Sequence, residues 1–339
     1  MAALLLGLKN IFHGFVAAAM LIPIIATMGN AGNPDTPVET YPESDNPFIT
    51  EYLEPDISAH RSGAGIAPQN TLMAFENIIE QGDSLDIDAL EFDVQITADG
   101  ELILLHDLTY DGTSNAIEAF GKKNNYASSI TFEEAQKLNM GENFKGNGDY
   151  PYRGLRGDDI PYNLRVVTCD TVIDYIESNS GNKKYNYNIE IKSIGANGKK
   201  AVDRLYEIIT ERNLQDRVIW STFAPDVSGY MKKEYPEISR TADAIEAVQF
   251  YFYFRMGWKL SDVKPSYVAL QIPYGSSAFD NLINLGTREM LNYAHKNNIA
   301  VQYWTINSEE EVMTLTQNGA DCIMTDYLQM ACEAVRKCR

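Results

Sequence analysis

Short runs of β-branched and aromatic residues recur along this chain, and amphipathic helical patterns separate many of them. One such pattern places Val202, Leu205, Ile208 and Ile209 on a single helix face. Strands that alternate with helices are typical of a parallel sheet covered by helices, so the pattern predicts an α/β fold. The candidate strands are residues 57–59, 90–94, 102–105, 187–191, 218–221, 267–271, 300–304 and 322–324, with a weaker ninth at 240–244.

The chain length suits one large barrel. A chain of 339 residues exceeds the roughly 250 that a TIM (β/α)8 barrel needs, and nine candidate strands compete for its eight places. Only residues 95–101, with the turn pair Asp99-Gly100, separate the second and third candidates. A parallel connection normally takes about a dozen residues or more. These two strands therefore form either an extended parallel return or an antiparallel hairpin, and the sequence leaves both open.

A long region rich in glycine, asparagine and tyrosine, residues 107–165, follows the third candidate strand. It carries the signature of one short helix at Thr131, whose spacing from Glu134 suits a capping box. Long connections in a compact domain are usually functional or disordered. We predict a small insertion that covers the barrel mouth, within one main domain spanning residues 51–339.

The N-terminal residues differ from the rest in composition. Residues 15–28 are almost entirely apolar, with Lys9 before them and the small residues Gly29 and Ala31 after them. This pattern indicates a signal peptide, because the stretch is shorter than the roughly 20 residues of a spanning helix. We predict an exported protein, with residues 1–31 either removed near Ala31 or kept as a membrane anchor. Residues 32–50, rich in Pro, Asn, Asp and Thr, are predicted to form a solvated linker.

The charge balance excludes some partners. The chain has 47 acidic and 28 basic residues and a formal net charge of −19, which repels nucleic acids and anionic membrane surfaces. We therefore expect no nucleic-acid partner, and we infer no protein partner. An anionic substrate would also be repelled unless local cations or a bound metal offset the charge. The four cysteines form no Cys-x-x-Cys pair, so a thiolate zinc site is not expected.

Polar side chains follow several predicted strands at the end where barrel active sites are built. Residues at positions i and i+2 of a strand point to the same side, so Glu91 and Asp93 can converge on one ion. Glu190 and Lys192 share a side for the same reason. Carboxylate ligands suit a hard divalent cation, Ca²⁺ or Mg²⁺, better than zinc. The alternative is a buried ion-pair network without a metal.

Two histidines complete this set. His60 and His106 each follow a predicted strand, and two groups that titrate near neutrality can supply the base and the acid of a phosphodiester cleavage. Arg61 and Lys192 can offset the charge of the phosphate. Asp107, next to His106, is interpreted as a helix N-cap or as a residue that orients the histidine.

Seven segments in this order resemble the motifs of the glycerophosphodiester phosphodiesterase family, over about residues 56–330. They are His60-Arg61-Ser62-Gly63, Ala67-Pro68-Gln69-Asn70-Thr71, Leu90-Glu91-Phe92-Asp93-Val94, His106-Asp107, Ile189-Glu190-Ile191-Lys192, Trp304-Thr305-Ile306-Asn307 and Thr325-Asp326. The resemblance implies a TIM barrel with a small insertion after the third strand. It also implies hydrolysis of glycerophosphodiesters to glycerol 3-phosphate and an alcohol.

The resemblance also implies a role for each matching residue. His60 and His106 become the general base and acid, and Glu91, Asp93 and Glu190 become ligands of a divalent cation. Arg61 and Lys192 hold the phosphate, and Trp304 lines the substrate pocket or, alternatively, fills the barrel interior. The chain departs from the family pattern at Ser62, Gln69 and Gly112, where the family usually has Gly, Glu and, nearby, Arg. These departures concern loop geometry and substrate choice.

Other functions use the same residues differently. A phospholipase D-like or lysophospholipase D-like relative would form a cyclic phosphate, and a non-catalytic envelope protein would only bind phosphate or lipid. A glycoside hydrolase that uses Glu91 and Glu190 would leave both histidines without a role. The aromatic run at residues 250–258 is predicted either to pack between barrel and helices or to form an apolar lip that contacts a membrane interface.

Overall fold

The computed structural model describes residues 33, 35–41, 44–146, 148–274 and 285–339, and the predicted leader lies outside this part of the chain. Eight strands are present in the described residues, and all eight main candidates from the sequence correspond to them. The strands are β1 Asp56–Ala59, β2 Ala89–Ile96, β3 Leu102–Leu104, β4 Asn186–Ile191, β5 Val218–Ser221, β6 Ala269–Pro273, β7 Ala300–Trp304 and β8 Cys322–Thr325.

Seven of these strands are parallel and pair in the order β5-β4-β2-β1-β8-β7-β6. The gap between β5 and β6 is closed by a segment with two single parallel bridges, Trp220 to Arg240 and Thr241 to Ala269. The weak ninth candidate near Arg240 is therefore the eighth member of the barrel. The fold is a TIM (β/α)8 barrel, as predicted.

The third candidate strand is not a barrel strand. β3 pairs only with β2, in antiparallel register, with Leu104 opposite Val94 and Leu102 opposite Ile96. This resolves the alternative that the sequence left open in favour of the hairpin, because the short connection with its Asp99-Gly100 turn reverses the chain directly.

The described part of the chain contains ten α-helices, and most of them begin at a residue whose side chain accepts a hydrogen bond from the first turn. Thr71 caps the first helix, Thr131 forms the predicted capping box with Glu134, and Ser308 accepts from the backbone of Glu311. The helices are α1 Leu72–Gln81, α2 Ala116–Phe120, α3 Phe132–Ala135, α4 Cys169–Asn179, α5 Gly195–Glu211, α6 Pro225–Glu234, α7 Ala244–Met256, α8 Arg288–Lys296, α9 Glu309–Asn318 and α10 Leu328–Arg336.

The region between β3 and α4 forms the insertion and has a small apolar core of its own, which includes Tyr110 and Leu138. Arg156 ties this region together through ion pairs to Glu118, at 2.5 Å, and to Glu142, at 2.8 Å. The insertion contacts the barrel through α1, where the Tyr162 hydroxyl donates to Glu76 at 2.6 Å.

Within the predicted solvated linker, residues 32–50, the described residues 33, 35–41 and 44–50 instead form hydrogen bonds with the barrel or pack on it, and this corrects the interpretation of those residues. Asn292 of α8 accepts a hydrogen bond from the Glu39 amide at 3.0 Å and donates one to the Pro37 carbonyl at 2.9 Å. Phe48 is buried against Ile219, at the N-terminal ends of the barrel strands. The polar composition of this segment predicted that it would be solvated, but its polar groups form hydrogen bonds with the barrel. Within the described residues, no helix has the length and apolar character that a membrane span requires.

The aromatic run is divided between core and surface. Phe250 and Tyr251 of α7 are buried, and the ring of Phe250 lies edge-on to Tyr293 of α8 with centroids 5.4 Å apart. Trp258, just beyond the end of α7, remains 46% exposed. The helices of such a barrel run antiparallel to its strands, so the C-terminal end of α7 lies where the strands begin. Trp258 is therefore at the N-terminal ends of the strands.

Candidate active site

One cleft at the C-terminal ends of the barrel strands contains every side chain that the sequence assigned to the site. Its wall includes His60, Arg61, Glu91, Asp93, His106, Glu190, Lys192 and Trp304. We call this end of the barrel the site face. None of the described residues that line the cleft comes from 107–165, although Asp107 forms a hydrogen bond with His106 of the cleft. The cover over the barrel mouth stays a prediction.

Strand register brings the three carboxylates together. Asp93 of β2 is paired with Glu190 of β4, and Glu91 lies two residues before Asp93 on the same side of β2. Ligand oxygens of the three side chains all lie within 4.8 Å of one another. Glu91 and Asp93 are almost completely buried, so neither charge can be screened well by water.

Two cations face this acidic cluster. The Lys192 ammonium lies 2.6 Å from Glu190 Oε1 and 3.2 Å from Asp93 Oδ1. The Arg61 guanidinium is 3.7 Å from Asp93 Oδ2. The Arg61 backbone N–H also donates to Glu91 Oε2 at 2.5 Å. The ion-pair network considered from the sequence is thus present, but three carboxylates against two cations leave one negative charge uncompensated.

The pKa values of the three carboxyl groups shift in different directions in this cluster. Burial, reinforced by the charge of Asp93, raises the pKa of Glu91 well above its ordinary value. Burial also raises the pKa of Glu190, although Lys192 opposes the shift. For Asp93, burial acts upward, but Lys192, His106 and Arg61 together hold the pKa below its ordinary value. Such a cluster needs one more positive charge, from a proton or from a bound cation. A divalent cation with all-oxygen ligands fits both the charge of the cluster and the donor atoms of its side chains.

Asn70 supports this cluster and was missed as a site residue. Its backbone is left-handed, with φ of 56°, and its side chain donates to Asp93 Oδ2 at 2.8 Å. The Asp93 amide in turn donates to Asn70 Oδ1 at 3.1 Å. Asn70 therefore fixes the orientation of a carboxylate, while Thr71 alone caps α1. Its place within the matched segment at residues 67–71 was the available signal.

His60 is held by a partner from the other end of the chain. Its Nδ1 lies 2.7 Å from Asp326 Oδ1. Burial acts to raise the pKa of Asp326, but hydrogen bonds from His60 and Asn307 bring it below the ordinary value. An ionised carboxylate only accepts, so the His60 proton is on Nδ1 and Nε2 is the basic nitrogen. That nitrogen lies 3.4 Å from Thr305 Oγ1.

Asn307 orders the carboxylate in turn. Its Oδ1 accepts from the Asp326 amide at 3.0 Å, which leaves its Nδ2 to donate to Asp326 Oδ2 at 2.7 Å. Sequence reasoning assigned no role to Asp326 or Asn307. Both belong to segments that carried the family resemblance, and each follows a barrel strand closely.

His106 is also paired with a carboxylate. Its Nδ1 lies 2.8 Å from Asp107 Oδ1, so Asp107 orients the histidine, one of the two roles that the sequence suggested. The hydrogen bond from His106 is the main reason that the pKa of Asp107 is lowered. Each histidine of the cleft thus has one ring nitrogen committed to a carboxylate and one left for other chemistry.

Two of the three departures from the family pattern, Ser62 and Gln69, lie beside Arg61, whereas Gly112 lies next to Asp107. Arg61 donates from Nη1 to Gln69 Oε1 at 2.6 Å. The partner of the guanidinium is therefore a neutral amide, whereas the glutamate usual in the family would neutralise its charge. Ser62 is buried and takes a left-handed backbone, with φ of 65°, a conformation that glycine adopts more readily. Both substitutions therefore alter the surroundings of Arg61 without removing it from the cleft.

Aromatic rings form the wall opposite these charges. Trp304 packs edge-on against Phe223, with ring centroids 6.0 Å apart, and both line the cleft. The Lys192 ammonium is 5.6 Å from the Phe223 ring centroid. Below them, the Gln271 amide donates to Asn188 at 3.0 Å and to Gln302 at 2.8 Å. Trp304 is therefore at the cleft surface, and the neighbouring amides fill the barrel interior beneath it.

The chain resembles known proteins over most of its length. The family model described as the Glycerophosphoryl diester phosphodiesterase family matches residues 60–330. A glycerophosphodiester phosphodiesterase of Caldanaerobacter subterraneus is 29% identical over 287 residues, which cover 83% of this chain and 98% of the relative.

Solved structures share the fold at low identity. A putative glycerophosphoryl diester phosphodiesterase from Silicibacter pomeroyi aligns with a TM-score of 0.66 and 19% identity, covering 86% of this chain and 96% of the other. A phosphodiesterase from Oleispira antarctica, solved in complex with the product sn-glycerol-3-phosphate, aligns with a TM-score of 0.61 and 20% identity, covering 83% and 97%.

Proposed function

The chain belongs to the glycerophosphoryl diester phosphodiesterase family, and we propose that it hydrolyses glycerophosphodiesters to glycerol 3-phosphate and an alcohol. The observation that carries this proposal is the convergence of two carboxylate-paired histidines, three carboxylates and two cations in one cleft. The names of the relatives and the product bound to the Oleispira antarctica structure support the choice of a glycerol phosphodiester.

In the proposed reaction, His60 is the general base. Its Nε2 takes a proton from the nucleophile, which attacks phosphorus as the bond to the leaving oxygen breaks. Asp326 keeps the proton of His60 on Nδ1 and stabilises the charge that the ring acquires. The nucleophile is water for direct hydrolysis.

His106 is the general acid, and it donates a proton to the leaving alcohol as the phosphorus–oxygen bond breaks. A divalent cation, Ca²⁺ or Mg²⁺, held by Glu91, Asp93 and Glu190 would draw charge from the phosphate oxygens. Arg61 and Lys192 bind the same phosphate, and their cations offset the repulsion by an acidic protein. Trp304 and Phe223 contact the carbon skeleton of the substrate.

The test is turnover of glycerophosphocholine by the full chain, measured as glycerol 3-phosphate before and after EDTA, with Ca²⁺ or Mg²⁺ added back. General acid–base catalysis contributes about 10²- to 10⁴-fold, so His60→Ala and His106→Ala should each lose at least about 100-fold in kcat. Glu91→Gln should lose activity as EDTA does, while Glu133→Gln, at an exposed position of the insertion, serves as the matched control. Near-normal rates in either histidine variant would contradict its assigned role.

Product analysis separates the mechanism from its nearest rival. Phosphorus NMR of the reaction mixture should show glycerol 3-phosphate, whereas a phospholipase D-like enzyme would accumulate a cyclic phosphate. Tight binding of glycerophosphocholine without turnover in the presence of either cation would instead favour the non-catalytic binding protein.

We also propose that the protein is exported. The apolar stretch at residues 15–28 and the small residues after it support this localisation. Fractionation of expressing cells and N-terminal sequencing of the product test both export and cleavage near Ala31. An intact chain in the cytoplasm would contradict the proposal.

A further inference from the structure

The cleft has two chemically different halves. The half formed by β1 to β4, and by the residues that follow these strands, carries every charged side chain that lines it. In the described part of the chain, the half formed by β5 to β8 contributes only neutral lining residues, and we call it the neutral half. Its hydroxyl and amide groups belong to Ser221, Thr222, Thr241 and Gln271. The acid–base and cation chemistry proposed above uses the charged half alone.

Gln271 forms the floor of the neutral half. It lies opposite Gln302 in the register of β6 and β7. Its NH₂ group donates both hydrogens, to Gln302 at 2.8 Å and across the barrel interior to Asn188 at 3.0 Å. The carbonyl oxygen Oε1 has no hydrogen bond with the described residues, and it is not sealed from the cleft. A ligand hydroxyl can donate to this oxygen, and it could accept equally well if the amide turned over.

Two hydroxyl groups stand beside Gln271 on the same wall. Ser221 of β5 is paired with Glu190 of β4. Thr241 is bridged to Ala269, which lies two residues before Gln271 on β6. Within the described residues, neither hydroxyl takes part in a hydrogen bond, and neither is sealed from solvent. Three neighbouring members of the barrel thus present three groups that can bind a hydroxyl.

Aromatic rings lie on the same side of the cleft. Trp304 of β7 is paired with Pro273, two residues beyond Gln271, and its ring packs edge-on against Phe223. A polyol carries hydroxyl groups and C–H groups on one small skeleton, so polar groups at the floor and rings above it are complementary to a polyol. A plain alkyl group would contact the rings but leave the polar groups without partners. The neutral half can therefore discriminate between these two kinds of group.

We propose that Gln271, with Ser221 and Thr241, binds the terminal hydroxyl of the glycerol arm and thereby selects glycerol phosphodiesters from other phosphodiesters. This inference rests on the proposed function and names the residues that determine its specificity. With the phosphate held by Arg61 and Lys192, the terminal hydroxyl is the glycerol group farthest from phosphorus, so it extends into the neutral half. The cleft has a volume of about 110 Å³, room for roughly four water molecules. Only one small arm of the diester fits inside, and the head group stays at the open mouth.

A second substrate tests this assignment. It is glycerophosphocholine with its terminal hydroxyl replaced by hydrogen, which keeps the hydroxyl next to the phosphate and so keeps every route to product. We would measure kcat/KM of the parent and of Gln271→Met, whose side chain has a similar length but no strong hydrogen-bonding group. The parent should prefer glycerophosphocholine at least roughly tenfold, because the analogue leaves polar groups of the site unpaired. Gln271→Met should lose at least roughly tenfold with glycerophosphocholine and less than about threefold with the analogue.

A second variant separates binding from damage to the floor, because Gln271→Met also removes the donor to Asn188 and Gln302. Ser221→Ala/Thr241→Val leaves those amides in place, and it should lose at least about threefold with glycerophosphocholine alone. This variant decides the question if Gln271→Met does not fold, as its unfolding midpoint would show. Thr222→Val is the matched control, because the Thr222 hydroxyl already accepts from the Ala224 amide at 3.2 Å. Any loss in Thr222→Val should be equal for the two substrates.

The outcomes distinguish this inference from the proposed function. Equal losses with both substrates in Gln271→Met and in the double variant would show a structural role and overturn the inference. A parent chain that hydrolyses both substrates equally well would also overturn it, while leaving the proposed reaction intact. A parent that hydrolyses neither substrate in the presence of Ca²⁺ or Mg²⁺ would contradict the proposed function and this inference with it.

Discussion

The hydrogen bond between Asp326 and His60 allows the proposed base to be tested by a change of one atom. In Asp326→Asn, the new amide has one acceptor and one donor. Asn307 Nδ2 already points at this side chain, at 2.7 Å, because Asn307 Oδ1 is occupied by the Asp326 amide. The new amide must therefore turn its oxygen to Asn307 and its NH₂ to His60.

This orientation forces the wrong tautomer on the histidine. His60 Nδ1 would have to accept, so the ring proton would move to Nε2 and remove the base from the cleft. General-base catalysis is worth about 10²- to 10⁴-fold, or about 3 to 5 kcal/mol in the activation barrier, and kcat should fall by that amount. Steady-state turnover of glycerophosphocholine measures the loss, and an unchanged unfolding midpoint shows that the fold persists.

A compensating substitution distinguishes tautomer control from general damage. In Asp326→Asn/Asn307→Asp, the new carboxylate at position 307 accepts from the new amide, whose oxygen then accepts from His60 Nδ1. The productive tautomer returns, so the double variant should be at least about tenfold faster than Asp326→Asn. Asn307→Asp alone places two carboxylates face to face and should be slow. A single variant within threefold of the parental kcat, or a double variant no faster than Asp326→Asn, would refute this reasoning.

Three further predictions concern specificity and stability. Gln69→Glu gives Arg61 a carboxylate partner, which competes with the phosphate for the guanidinium. KM for glycerophosphocholine should therefore rise roughly fivefold to tenfold, with a smaller change in kcat. An unchanged KM would argue against Arg61 as a phosphate ligand. Phe48→Ala removes a buried aromatic side chain at the N-terminal ends of the barrel strands and should lower the free energy of unfolding by about 3 kcal/mol in urea titrations. A loss below about 1 kcal/mol would mean that the N-terminal segment, residues 44–50, adds little to stability. Burial, with the charge of Asp88, raises the pKa of Asp56 to about 7, so the parent loses stability as pH rises from about 4 to 7. Asp56→Asn should therefore match the parent at pH 4 and exceed it at pH 8 by about 2 to 4 kcal/mol, and an equal stability at pH 8 would contradict the assignment.

The residues of the site could be predicted from the sequence because the spacing that places them side by side is local. Alternation along a strand places Glu91 and Asp93 on one side, and Glu190 and Lys192 on one side, whatever the rest of the chain does. The C-terminal ends of parallel strands meet at one face of a barrel. Spacing within two short segments, together with the matched motifs, was thus enough to predict the cluster that the cleft contains.

Pairings between distant segments were decided only by the tertiary structure. His60 and Asp326 are separated by 266 positions, and no spacing rule links two residues so far apart. The same holds for residues 35–41, whose composition is that of a linker but which form hydrogen bonds with α8, about 250 positions away. A polar group is satisfied equally by water and by protein, so composition does not distinguish the two.

The barrel strands were likewise predicted in part from the sequence and decided in part by the tertiary structure. Periodicity identified the strands, but the weak candidate at Arg240 became a barrel strand and the stronger one at β3 did not. Apolar pattern reports that a segment is buried, whereas membership of the barrel depends on which neighbours supply hydrogen bonds. The sequence by itself determined the fold class and the chemical groups of the site. The tertiary structure decided the closure at Arg240 and the carboxylate that orients His60, because both depend on contacts between segments that no spacing rule connects. It also settled the direction of β3, because the short connection to β2 was compatible with more than one pairing.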